Sequence, residues 1–244
     1  MLSSPKWILI AFGCLPLCVI STTSAQVAEP SDPAAVAVTT AKLTLLRDAF
    51  VQQAKSLGPA CSLDAPKIEI TDVPSFGKYE PASNTLQMSA WRLLDADRKR
   101  LFFHLAGPDA DDEAAHRVFE RGTYGWVFVH ELGHWWQACI GSAQSMTHYQ
   151  REYDANRIAA AYWRDHDPGL LQGLIAGFAR ILAGASNPVP AGQKPEDFFN
   201  ANYAKLAHSS DYTWFQARMV TDVSAEAPPP TFADALLHSM VEKK

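Results

Sequence analysis

Apolar positions recur at helical spacing from Ala41 onward. Leu43, Leu46, Phe50, Val51, Ala54 and Leu57 make one stripe, which Gly58-Pro59 ends. Two alternating stretches follow, at 67–73 and 85–89. They predict strands with Ile68, Ile70, Leu86 and Met88 turned to the core. Glu80-Pro81-Ala82-Ser83-Asn84 is the turn-forming stretch ahead of the second. Across 91–121 helical spacing returns but breaks at Gly107-Pro108. The acidic run 109–113 reads as the solvated start of another helix, where negative charge suits the dipole. Gly122-Thr123-Tyr124-Gly125 interrupts the pattern again, and Thr123 reads as the cap of the next helix. That helix, running to about Ala138, is apolar on nearly every side. Burial is therefore expected, with a glycine stop at Ile140-Gly141-Ser142.

The following helix opens with Thr147-His148-Tyr149-Gln150, a capping box, and continues to Arg164, stopping before Asp167-Pro168. Further helices are expected at 170–182, 196–207, 211–223 and 231–241. A loop with Pro188, Pro190 and Pro195 separates the first two, and Pro228-Pro229-Pro230 precedes the last. No repeat and no linker interrupts 41–244, so this stretch is expected to be a single domain. Its class is α+β, mostly helical with a small sheet. Residues 26–40, rich in Ala, Pro, Ser and Val without periodicity, read as a flexible leader.

Composition narrows the class. The 244 residues are 48% hydrophobic and 19% charged, an ordinary globular balance. With a formal charge of −5 and no basic block beyond Arg98-Lys99-Arg100, nucleic acid is not an expected partner. Residues 1–25 read as a cleavable signal peptide. Lys6 precedes an apolar run over 7–20, and Ser21-Thr22-Thr23-Ser24-Ala25 is a small-residue exit. A periplasmic or secreted location follows, with no membrane span in the mature chain. Removing 1–25 leaves Cys61 and Cys139, the right count for one disulfide in an oxidising compartment, or else two unrelated thiols.

Candidate chemistry sits in the buried helix. His130-Glu131-Leu132-Gly133-His134 places two imidazoles one turn apart on one face. Two neutral imidazoles at this spacing can grip one Zn²⁺, and Glu131 lies beside them to take a proton from an activated water. A catalytic zinc usually needs a third protein ligand. Glu152 is the leading candidate, with Asp154 and His148 as competitors. Asn156, one turn beyond Glu152, would orient a ligand imidazole. Gly133 weakens the helix by about 1 kcal/mol relative to alanine, so a close neighbour is expected there. Ala155, Ala159 and Ala160 supply small side chains for such an approach. His208, Tyr203 and Tyr212 lie downstream without an assigned role.

His130-Glu131-Leu132-Gly133-His134 followed by Arg151-Glu152-Tyr153-Asp154-Ala155-Asn156-Arg157-Ile158-Ala159-Ala160 resembles the gluzincin metallopeptidases. The second segment is most similar to the prenyl-protein and heat-shock membrane protease family, although the spacing between motifs is nearer to the thermolysin-like arrangement. The resemblance covers residues 123–165. It implies a zincin-like domain with its sheet packed on the motif helix, one Zn²⁺ held by His130, His134 and Glu152, Glu131 as general base, and peptide or protein substrates. Two departures stand out. Asn156 replaces the usual Asp, and the membrane helices of those relatives are missing. The expected activity is zinc-dependent endopeptidase. The competing expectation is a non-catalytic, zinc-stabilised protein-binding module of the cell envelope. An autoinhibited precursor, with 26–40 or the tail after Pro228 in the cleft, is a third.

Overall fold

Three short strands and the helix beneath them set the frame. The computed structural model describes residues 33–58, 61–206 and 209–241, with side chains as far as Ser239. The expected signal peptide 1–25, the first part of the leader and His208 lie outside the described residues. Strands β1 (Lys67–Ile70), β2 (Gly77–Glu80) and β3 (Thr85–Met88) form one sheet in the order β1-β3-β2. β3 runs parallel to β1, with Ile68 opposite Leu86, and antiparallel to β2, with Tyr79 opposite Leu86. Leu86 and Met88 are fully buried, while Ile68 and Ile70 are half-buried against the same core.

The helices are α1 (Pro33–Leu57), α2 (Ala96–Ala106), α3 (Asp112–Phe119), α4 (Phe128–Ile140), α5 (His148–His166), α6 (Pro168–Gly184), α7 (Pro195–Leu206), α8 (Ser210–Ser224) and α9 (Phe232–Val241). The described chain is therefore mostly helical with one small sheet, an α+β arrangement. None of its helices is long and apolar enough to cross a membrane. A core cluster joins α1, α5 and α9 through Phe50, Tyr162 and Phe232, whose rings lie 5.2–5.4 Å apart. A smaller cluster, with Phe199 and Phe215 at its centre, lies between α7 and α8.

Three expectations need correction. Residues 33–40 are not a flexible leader, because α1 begins at Pro33. Proline suits a first helical position and Ala34, Ala35 and Ala37 favour the helix. Periodicity missed them because this end carries no buried stripe (Val38 is 71% exposed). Gly122-Thr123-Tyr124-Gly125 is not a break either. Residues 120–127 form a π-helical segment (Glu120–Val127) that joins α3 to α4 without interruption. Burial of Thr123, Tyr124 and Trp126 outweighs the poor helix propensity of the two glycines. Thr123 consequently caps nothing, and its carbonyl accepts from Phe128 N–H inside the continuous helix. The third correction is β2, a strand not expected from the sequence.

Candidate metal centre

α4 and α5 cross at Gly133. A Cβ there would stand 3.1 Å from Ala155 Cα and 3.3 Å from its carbonyl oxygen. Only hydrogen at this position lets the two backbones come so close. The approach turns His130 and His134 toward Glu152, three residues before Ala155. Glu152 Oε2 lies 3.2 Å from His130 Nε2 and 3.5 Å from His134 Nε2. One donor atom of each residue lies within 4.8 Å of the other two. This buried group could hold a metal ion.

The tautomers are fixed from behind. His130 Nδ1 sits 3.0 Å from Asn156 Oδ1, and His134 Nδ1 sits 2.9 Å from Gln137 Oε1. Each amide is locked by its own donor end. Asn156 Nδ2 donates to Gln216 Oε1, and Gln137 Nε2 donates to Arg151 O and Asp154 Oδ2. Both amide oxygens must therefore accept, both Nδ1 atoms carry hydrogen, and both Nε2 lone pairs face the Glu152 carboxylate. Three electron-rich atoms turned together in a buried site demand a cation. A proton can fill that role. Burial would lower the His134 pKa, but the Glu152 charge and hydrogen bond outweigh it and raise it to about 9. Burial likewise works against ionised Glu152, yet His134 and His130 hold its carboxyl well below the usual range. A metal ion could fill the same role, since two imidazole nitrogens and a carboxylate are ligands of the kind divalent cations take.

Glu152 is supported by groups from distant helices. Gln216 Nε2 donates to Oε2 at 2.9 Å and Tyr203 O–H donates to Oε1 at 3.3 Å, while Tyr212 lies close enough to feel the carboxylate charge. Burial, then the neighbouring Glu152 charge, pushes both phenols above their ordinary range. They stay protonated. Glu131 lies outside the three-donor group. Its Oε2 accepts from Tyr79 N–H at 2.7 Å, a backbone donor of edge strand β2. β2 comes this near because Gly77 crosses directly over the helix, where a Cβ would stand 2.6 Å from Val127 Cγ1.

The competitors for third ligand lie elsewhere. Asp154 faces the other side of α5, where Oδ2 accepts from Gln137 and from Ser239 O–H. Its Oδ1 has no hydrogen-bond partner among the described residues. His148 stacks on Tyr203, ring centroids 3.9 Å apart, and contacts Arg151. The capping box at Thr147 and Gln150 starts α5 and so fixes where Glu152 falls. Cys61 and Cys139 are joined in a disulfide, Cα atoms 5.3 Å apart, tying the approach to β1 to the end of α4.

Sequence reasoning did not single out Tyr79, Gln137 or Gln216. Gln137 had a local signal, since it lies three residues after His134 on the same helix. Tyr79 and Gln216 had none, because only tertiary folding brings them in. Among known proteins, no family model, curated protein or solved structure matches this chain.

Proposed function

We propose that the protein is a zinc-dependent metallopeptidase of the gluzincin type, acting in the periplasm or outside the cell. The observation carrying this reading is the pairing of two Nε2 lone pairs and the Glu152 carboxylate with a second carboxylate, Glu131, that stays outside the donor group. The donor set alone would also suit Fe²⁺. A free carboxylate beside it, held by a backbone N–H, favours hydrolysis, which needs a positioned proton acceptor.

A zinc ion bound there would polarise the scissile carbonyl and lower the pKa of water to near 7. Glu131 takes the proton from the attacking water and passes it to the leaving amine. Tyr79 N–H keeps that carboxylate in one orientation. Asn156 and Gln137 keep both imidazoles in the ligating tautomer. Tyr203 and Gln216 spread the charge of Glu152 over two donors.

The test is cleavage of an unfolded protein by wild type and by Glu131→Gln at matched zinc content. Loss of roughly 10²- to 10⁴-fold in rate with zinc retained supports the reading. Equal cleavage by both, or none by zinc-loaded wild type, contradicts it and returns the chain to a zinc-stabilised binding module.

A further inference from the structure

A cleft of about 840 Å³ adjoins the metal centre. Its lining includes Gln216, which donates to Glu152, and Tyr212 one turn before it. Its walls are Phe102, Val127, Leu174 and Phe178. α6 forms much of one wall and is unusual for a surface helix. Its 17 residues include one charge, Arg180, yet only Leu171 and Leu174 are buried. Of its remaining apolar side chains, Phe178 and Ile181 turn to the cleft. This volume lies within the range of ligand pockets and exceeds the needs of one side chain.

The cleft also contains a cation. Arg121 lines it, and among the described residues none of the cleft's ion pairs, Arg98 with Asp72 and Asp95 or Arg100 with Asp97, includes it. Its guanidinium lies over Gly173, where any side chain would collide with it. The other arginines of the cleft are occupied. Arg98 pairs with Asp72 and Asp95, and Arg180 donates to Leu105 O. Nor do the cleft carboxylates serve Arg121, since Asp95 pairs with Arg98 and Asp97 with Arg100. An exposed guanidinium without a protein partner, at the side of an apolar cleft, is a planar fork that can take a carboxylate.

Arg121 and His130 lie on one uninterrupted helical stretch. Nine residues at about 1.5 Å each separate them by roughly 13 Å. An extended peptide covers that distance in about four residues. The i→i+5 bonding of Glu120–Val127 also changes which of its side chains share a face with those of α4.

We infer that the cleft takes the C-terminal segment of a peptide, apolar side chains against α6 and the free α-carboxylate on Arg121. The enzyme would then release short C-terminal peptides. This rests on the peptidase reading above. The step is plain hydrolysis: the C–N bond breaks, the water oxygen bonds to the carbonyl carbon, and a proton goes to the new amine. The α-carboxylate is the anion favoured here because it accompanies an apolar terminal residue without needing an acidic one.

The experiment uses full-length, zinc-loaded Glu131→Gln and a fluorescent apolar hexapeptide in three forms: free acid, C-terminal amide, and amide with an internal Asp. Binding of the acid should be about ten- to hundred-fold tighter than of the plain amide. The difference should collapse in an added Arg121→Gln and survive an added Arg180→Gln, with zinc content unchanged in both. Equal binding of acid and amide, or a preference that survives loss of Arg121, overturns the proposal. So does binding of the Asp-containing amide as tight as that of the acid, which would assign Arg121 to acidic side chains. Cleavage by wild type is measured separately. Arg121-dependent binding without cleavage would sink the peptidase reading and leave the cleft assignment standing; cleavage indifferent to the carboxylate would do the reverse.

Discussion

Gly133 of α4 packs directly against the Ala155 backbone of α5, beside the residues that bring His130, His134 and Glu152 together. A Cβ on Gly133 would meet Ala155 Cα at 3.1 Å. Gly133→Ala gains about 1 kcal/mol of helix propensity but incurs about 1–3 kcal/mol of overpacking. The net change should be small and destabilising, with weaker zinc binding. Gly133→Val adds a branched three-carbon side chain for a smaller gain in helix propensity and should abolish stoichiometric zinc. Thermal melts and zinc titrations of the pair check this. A Gly133→Val protein with normal zinc affinity would show that the approach is not what sets the site.

Asn156 is built into its surroundings and is more than a weakened Asp. Its Oδ1 accepts from His130 while its Nδ2 donates to Gln216 Oε1. An Asp at 156 would set a carboxylate oxygen against that Gln216 oxygen. Turning the Gln216 amide to relieve this would remove its bond to Glu152. Asn156→Asp alone should therefore cost about 1–3 kcal/mol of stability instead of improving the site. Asn156→Leu should weaken zinc by about 10- to 100-fold. A double-mutant cycle with Gln216→Ala should show coupling, and strict additivity would rule the network out.

Much of this centre was legible in the chain because its signals are local. His130 and His134 announce themselves by helical spacing. Thr147 and Gln150 announce the start of α5, which fixes the face of Glu152 and Asn156. Gly133 and Ala155 could be matched as small residues on facing helices. What stayed hidden was tertiary or too short to carry a period. β2 has four residues, and the Glu80–Asn84 turn masked its alternation. Gln216 reaches Glu152 from 64 residues away. The π-helical segment hid behind two glycines whose unfavourable propensity is overridden by burying Tyr124 and Trp126.

The metal-free protein should lose stability in mild alkali. In it the His134 pKa stands near 9 against an ordinary 6.5. The stability its charge contributes is complete below 6.5 and is lost as pH rises through about 9. The loss should be at most about 3 kcal/mol. Glu152, held low, has the opposite sign: its contribution is present above the ordinary carboxylate range and fades on acidification. Zinc-loaded protein keeps both imidazoles neutral, so it should lack the alkaline loss. Denaturant melts from pH 6 to 9.5, with and without chelator, should diverge upward in pH. Parallel curves would contradict the assigned tautomers.

The Cys61–Cys139 bond closes a separation of 78 residues. On loop-closure entropy it is worth about 4 kcal/mol. Cys61→Ala with Cys139→Ala should lower the melting temperature markedly and leave the zinc stoichiometry intact, because neither cysteine touches the metal group. Loss of zinc at temperatures where the variant is folded would show that the bond positions α4 as well as stabilising it.

Zinc content of the purified protein tests the central claim most directly, compared across wild type, Glu152→Ala and Asp154→Ala after dialysis against a weak chelator. Glu152 lies in the three-donor group and Asp154, two residues away, points to Gln137 and Ser239. The expected result is one equivalent in wild type, near none in Glu152→Ala, and close to one in Asp154→Ala. Equal zinc in all three, or selective loss in Asp154→Ala, would contradict a centre built from His130, His134 and Glu152.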